Sequence, residues 1–257
     1  MNSDDREKTC LPLLRTVPGF AGMPTEALRC IAGGCHTRTA SRDQILCERG
    51  QIIDGFFVVL SGRIKLSVLS VDGAERVIDV VLPGHTFAEA AAFLGSPCPL
   101  QAQALTDSRL LFVGLTRLRT AIARWPGVAL PMLTILAART QRLLADLEAC
   151  CLHSAAQRVT GFLLREARCT AAEPDRGMVR LPAAKTVVAS SLNLSAETFS
   201  RELHGLARRG LLSIERREIR IPSLQRLRAL SGAEPPWSEP WARLPLGLAV
   251  SDLHPCA

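Results

Sequence analysis

The stretch from Ala184 to Leu212 constrains this chain more than any other, because it reads as two short helices meeting at a sharp turn. Val187, Val188 and Leu192 are apolar positions on a first helix, and Asn193-Leu194-Ser195 interrupts it. Ser195 is placed to cap a second helix, with Thr198 three residues on and Glu197 favoured by the positive end of the helix dipole. On that second helix Phe199, Leu203 and Leu206 fall at i, i+4 and i+7, the spacing of a buried stripe. Glu197, Ser200, Arg201 and His204 lie off the stripe, and Gly210 closes the helix. A helix presenting Glu, Ser and Arg in its first two turns has the form of a major-groove reader. A plain helical hairpin with a solvated charged face would show the same spacing. The residues that follow separate the two. Leu212 to Glu215 and Glu218 to Ile221 alternate apolar and polar residues around a basic tip, Arg216-Arg217, which predicts a β-hairpin wing.

From Leu181 to Ile221, with Leu-Ser-Ala-Glu-Thr-Phe-Ser-Arg (194–201) at its centre, the chain resembles the DNA-binding domain of the CRP/FNR superfamily of bacterial transcription regulators. Within it, the chain is most similar to the DNR-type regulators linked to nitric oxide and denitrification, and the resemblance runs over most of residues 10–230. It implies that Glu197, Ser200 and Arg201 read bases. Glu197 would accept from cytosine N4, Arg201 would make two hydrogen bonds to guanine, and Ser200 would reach a base edge or a thymine methyl. The Glu-x-x-Ser-Arg arrangement implies TTGAT-like half-sites. Ala196 stands where cyclic-AMP receptor proteins carry a further Arg, which makes their half-site a poorer match. Lys185, Thr198, Arg208, Arg209, Arg216 and Arg217 are expected on phosphates, where they position without specifying.

Charge agrees with a nucleic-acid partner. Residues 153–231 hold 14 Lys and Arg against 7 Asp and Glu, whereas the rest of the chain holds 17 of each. The whole excess of +7 therefore sits on the segment with the two-helix motif, as suits binding to double-stranded DNA. Met1 to Asp5 is polar and acidic, without the apolar stretch of an export signal, and no apolar run reaches membrane-spanning length. A cytoplasmic protein with no membrane partner is expected, its nine cysteines reduced.

Upstream, residues 1–35 read as short helices, one around Leu11, Leu13 and Leu14 and one starting at Pro24-Thr25. From His36 the texture changes to short strands, including Phe56–Leu60, Ile64–Leu69 and Val77–Leu82. Turn signals such as Ser61-Gly62 and Pro83-Gly84 separate them. About eight such strands make a jelly roll. The Val59–Lys65 and Phe87–Ala90 segments resemble the cyclic-nucleotide-binding-like sensor barrel of the same family. A helical run then spans about Pro126 to Cys151. Along it Leu133, Leu136, Thr140, Leu143, Leu147 and Cys150 recur with alternating spacings of three and four, a heptad seam. A helix packed on its own barrel would share those positions, but a palindrome reader needs a twofold, so a homodimer is expected. A helix near Ala155 to Ala167 and a loop from Ala171 to Gly177 lead into the two-helix motif.

The expected fold is therefore α+β, with an N-terminal jelly-roll sensor barrel, a long dimerisation helix and a C-terminal winged helix-turn-helix. Its domains are expected at 1–120, 121–152 and 153–231, with a Pro-rich, disordered tail at 232–257. What the barrel senses is less legible. A cyclic nucleotide needs a Glu for the ribose and an Arg-Ser pair for the phosphate. Glu89 fits the first, but Pro97-Cys98-Pro99-Leu100-Gln101 stands where the second is needed, so no cyclic nucleotide is expected. Cys10, Cys30, Cys35 and Cys47 lack the clustered spacing of an iron–sulfur site. The family resemblance then implies haem b and nitric oxide. The candidate axial ligands are His36, His85, His153 and His204, and Phe56, Phe57, Phe87 and Phe93 would bound an apolar interior. An ordinary hydrogen-bonded histidine is the competing reading at each position. The expected function is a signal-gated, DNA-binding regulator that contacts RNA polymerase, named an activator with repression left open. The alternatives are a regulator of the same fold sensing another ligand, or redox state through its cysteines. A cupin-like barrel enzyme is also weighed, although it would need histidines and carboxylates clustered in the strands.

Overall fold

The computed structural model describes residues 3–70, 73–170 and 172–230, and the tail from 231 onward lies outside them. Three helices open the chain, α1 (Ser3–Thr16), α2 (Pro18–Ala21) and α3 (Thr25–Ala32). Eight strands follow: β1 (Cys35–Ala40), β2 (Ile45–Cys47), β3 (Gly55–Ser61), β4 (Ile64–Leu69), β5 (Glu75–Val81), β6 (Thr86–Phe87), β7 (Gln101–Ala104) and β8 (Ser108–Gly114). Helix α4 (Glu89–Leu94) lies between β6 and β7. Next come α5 (Leu115–Arg124), a 3₁₀ turn (Pro126–Val128) and the 24-residue α6 (Ala129–Leu152). The chain continues through α7 (Ala155–Glu166), β9 (Arg168–Thr170), β10 (Glu173–Arg180), α8 (Lys185–Ser191), α9 (Ala196–Arg208), β11 (Ser213–Glu215), β12 (Glu218–Ile221) and α10 (Leu224–Arg228). The chain divides into two compact units, and the boundary falls inside α6 between Arg139 and Thr140.

In the first unit two antiparallel sheets, ordered β1-β8-β3-β6 and β2-β7-β4-β5, form the eight-stranded jelly roll. Strand β3 explains why it holds. Its odd and even side chains enter different cores, Phe57 and Val59 the barrel interior, Phe56 and Val58 a layer built from α1, α3, α5 and the start of α6. A strand covered on both faces reads as an unbroken apolar run, which Gly55-Phe56-Phe57-Val58-Val59-Leu60 is. At its end Gly62 turns the chain with φ +91, and a Cβ there would meet the Ser108 side chain and the Asp107 carbonyl. Phe56 and Phe93 therefore line the helical layer rather than the barrel interior, where Phe57 and Phe87 stack at 5.0 Å between centroids. Helix α1 also begins at Ser3, earlier than its leucines suggest.

In the second unit the sheet runs β11-β12-β10-β9, with α7 and α10 against β10, and α9 packed between α7 and α8. Most of the expected loop at 171–177 is strand. Gly177 pairs with Ile221 and Met178 with Arg220 along β10, while β9 flanks its other edge. The sequence hid this strand because its outer half, Glu173 to Arg176, is exposed and polar, with apolar alternation only from Gly177 on. A Cβ at Gly177 would lie 2.8 Å from Leu224 Cδ2, so close packing of α10 requires the glycine.

Candidate functional site

The two-helix motif is built as its spacing predicts. Ser195 Oγ accepts from the Thr198 amide at 3.1 Å and donates to Thr198 Oγ1 at 2.9 Å, capping α9. Gly210, at φ +69, ends it. Its amide reaches the Ala207 carbonyl and that of Leu211 reaches Leu206, a paired closure that satisfies two terminal carbonyls. Phe199 and Leu203 are fully buried and Leu206 nearly so, with Phe199 edge-on to Phe162 of α7. That stripe fixes the helix and turns Glu197, Arg201 and His204 to solvent, with Ser200 half-buried beside them. Glu197 and Arg201, one turn apart, share a face, and Arg201 Nε pairs with Glu202 Oε1 at 3.8 Å.

One residue that motif spacing did not single out holds the turn. Arg158 of α7 donates from Nη1 to the carbonyls of Leu192 and Asn193, both at 3.0 Å. These are carbonyls at the C-terminal end of α8, where the chain reverses through Asn193 at φ +57. A contact between residues 34 and 35 positions apart leaves no trace in local periodicity. The expected phosphate contacts are spread around this core. Lys185 begins α8, Thr198 sits half-buried in the first turn of α9, and Arg208 and Arg209 stand exposed at its end. Arg216 and Arg217 form the tip of the β11–β12 hairpin, Arg216 at φ +55, and the hairpin is tied to its sheet by Leu181 donating to the Arg217 carbonyl. The described base-facing and phosphate-facing candidates thus lie on one helix, its flanks and the wing beside it.

In the first unit Glu89 is buried at the start of α4, and Arg139 of α6 donates to its Oε1 at 2.6 Å and to the Thr86 carbonyl at 3.1 Å. Glu89 Oε2 has no hydrogen-bond partner. Cys98 is buried, with its sulfur 3.0 Å from that of Cys47.

Residues 37–124 match the cyclic nucleotide-binding domain, and residues 157–230 match the Crp-like helix-turn-helix domain. The chain belongs to the CRP/FNR family of transcription regulators. A CRP-like cAMP-activated global transcriptional regulator of Mycobacterium tuberculosis is 24% identical over 210 residues, which are 81% of this chain and 93% of that protein. The nitrogen fixation regulation protein FixK of Rhizobium meliloti is 29% identical over 183 residues, 71% of this chain and 81% of its own. The structure of FixK2 from Bradyrhizobium japonicum shares the fold with a TM-score of 0.69 at 25% identity, covering 77% of this chain and 98% of that one. These relatives are regulators, not enzymes, and no helix among the described residues is long and apolar enough to cross a membrane.

The CRP/FNR chain places its four candidate haem histidines far apart in character. His85 lies on the turn before β6 with Nδ1 3.3 Å from the Pro83 carbonyl, and His204 is exposed on α9. His153 borders a crevice of about 30 Å³ in the second unit. Phe57 and Phe87 pack ring to ring and fill the barrel interior as plain core. His36 lines a cleft of about 500 Å³ on the side of the first unit. There it tilts against Phe112 at 4.8 Å, and burial, followed by Arg6 and Arg38, pushes its pKa down, keeping the imidazole neutral. A neutral imidazole is the ligating form, so the residues that fit an axial role are those around His36.

The thiols have a different character. Burial, then the hydrogen bond with Cys98, pushes Cys47 up to about 12, and burial also raises Cys35 and Cys10. The thiolate is the reactive form, so these three are poorly placed as redox sensors. Cys10 and Cys35 belong to the helical layer and Cys47 to the barrel interior, so they do not converge on one site.

Proposed function

We propose that two copies of this regulator pair along α6 and read a palindromic operator of TTGAT-like half-sites, with Glu197, Ser200 and Arg201 on base edges. The observation that carries it is the α9 geometry. A fully buried Phe199–Leu203 stripe and the Arg158 clamp leave a rigid polar face free for a groove. Pairing is supported by leucines on α6 that water would otherwise hold. Leu133, Leu143 and Leu147 are 61%, 49% and 60% exposed, whereas Met132 and Ile135 on the other side are buried. The seam also takes in the half-buried Leu136 and the exposed Thr140. Gel shifts on a TTGAT palindrome and a scrambled duplex test the reading. Preference for the palindrome is the expected result, and equal affinity for both contradicts it.

The signal we propose is nitric oxide through haem b, as the DNR-type resemblance implies, rather than a cyclic nucleotide. Arg139 already engages the buried Glu89, and no Arg or Ser stands at 97–101 to meet a phosphate. Around the cleft His36 is the residue suited to the iron, with Arg6, Arg38 and Arg117 suited to the propionates. Haem would supply a ferrous centre that binds nitric oxide. Titration of the purified protein with haem tests this: a Soret band distinct from free haem, lost in His36→Phe, is expected, and a spectrum of free haem alone contradicts it. In the same reading the bound dimer acts as an activator through contact with RNA polymerase.

A further inference from the structure

The cleft beside β1 and β8 has chemistry of its own, independent of iron. Its floor is aromatic and aliphatic: Phe57 and Phe112 meet edge to face at 5.1 Å, with Leu46 and Ile53 beside them. Its rim is cationic. Arg6 from α1, Arg38 from β1 and Arg117 from α5 line it, against a single carboxylate, Asp54. Arg38 already has two engagements, the Leu46 carbonyl at 3.4 Å and the Phe57 face at 5.9 Å. Arg6 differs, because its Nε is shielded from solvent and has no hydrogen-bond partner. An anion at the rim would meet the outer N–H groups of these guanidiniums in charge-assisted hydrogen bonds.

Glycines let the chain pack tightly beside the cleft. A Cβ on Gly34 would meet the Arg117 side chain at 2.7 Å, and one on Gly114 would meet the Gly34 carbonyl at 2.7 Å, so the chain passes close where a larger residue would intrude. A volume of about 500 Å³ lies in the range of sites for small organic molecules.

We propose that this cleft binds a planar aromatic carboxylate, its ring against the Phe57–Phe112 wall and His36, its carboxylate between Arg6 and Arg117. The ring chemistry follows from the wall, since aromatic pairs favour offset or edge contacts. The anion follows from three guanidiniums facing one acid. An acidic protein segment would satisfy the rim but leave the aromatic floor unused. The proposal does not rest on the haem reading. A haem, with its propionates, is one source of this chemistry, and a metal-free aromatic acid is the other.

The test is calorimetric titration of the whole protein with naphthalene-2-carboxylate, with naphthalene-2-methanol as its neutral counterpart. The carboxylate is expected to bind with Kd below a millimolar and the alcohol about tenfold more weakly, one charge-assisted contact's worth. Arg6→Gln and Arg117→Gln, checked for unchanged melting, are each expected to weaken the carboxylate by about tenfold while leaving the alcohol unaffected. His36→Phe is expected to keep the carboxylate within about twofold, since a ring remains against the wall. Haemin and metal-free protoporphyrin IX form the second arm. Binding of naphthoate without a haem Soret shift leaves the cleft standing and removes the haem reading. No naphthoate binding at millimolar concentration, equal affinity for acid and alcohol, or an Arg-dependent Kd only for a Glu-rich peptide would each overturn the proposal. The comparison of acid with alcohol on the wild-type protein decides even where a variant fails to fold.

Discussion

Arg201 and Arg216 carry the same charge to different tasks. Arg201 stands on the face of α9 opposite Phe199 and Leu203, where in the proposed reading its planar fork would meet a guanine edge. Arg216 sits at the hairpin tip, where the same reading gives it a phosphate and no base. Arg201→Ala should therefore cost about 1–3 kcal/mol on the operator and little on scrambled DNA. Arg216→Ala should weaken both alike and lower the salt slope by about one. Anisotropy titrations at several salt concentrations check this, and an equal loss on both duplexes for Arg201→Ala would remove the base-reading assignment. His36 gives a second prediction. Its pKa is lowered in the fold, so the unfolded chain takes up the proton first as pH falls through 6.5. The folded state loses stability below that pH, and His36→Gln should flatten this part of the curve in urea melts between pH 7.5 and 5. An unchanged slope would show that His36 is not the group responsible.

At the level of elements, periodicity told most. The stripe of α9, its Ser195 cap, its Gly210 end and the β11–β12 hairpin were all legible, because each is a local pattern of residue types. The run through Phe56 to Leu60 was legible as a strand, but not the split of its side chains between two cores, which depends on helices far away in the chain. Strand β10 was missed because its polar outer half carries no apolar alternation. Long-range arginines were the least visible, and three of them, Arg158, Arg139 and Arg6, carry much of what is new in the structure. Arg158→Met, which keeps the apolar stem, should destabilise the helix-turn-helix unit by about 1.5–3 kcal/mol. Denaturant melts check it, and an unchanged midpoint would mean that the two carbonyl bonds contribute nothing. On α6, Leu143→Glu with Leu147→Glu changes only exposed side chains, so the fold should survive and the dimer should not. Light scattering that still reports a dimer would rule out this seam.

Over the whole chain, charge and apolar surface follow function. The excess of basic residues lies on the segment that carries α8, α9 and the wing, while the rest of the chain is balanced. That distribution was plain in the sequence. The barrel's ligand was not, since a family fold fixes neither a ligand nor the residues that hold it. The central claim is that a twofold pair of these α9 helices reads two half-sites at once. Its most direct test measures affinity for a TTGAT palindrome against the same duplex with about five base pairs, half a helical turn, inserted between the half-sites. The account predicts that the insertion, which turns the second half-site to the opposite face, drops binding to the level of scrambled DNA. Undiminished affinity for the spaced duplex, or equal affinity for a single half-site, would contradict it.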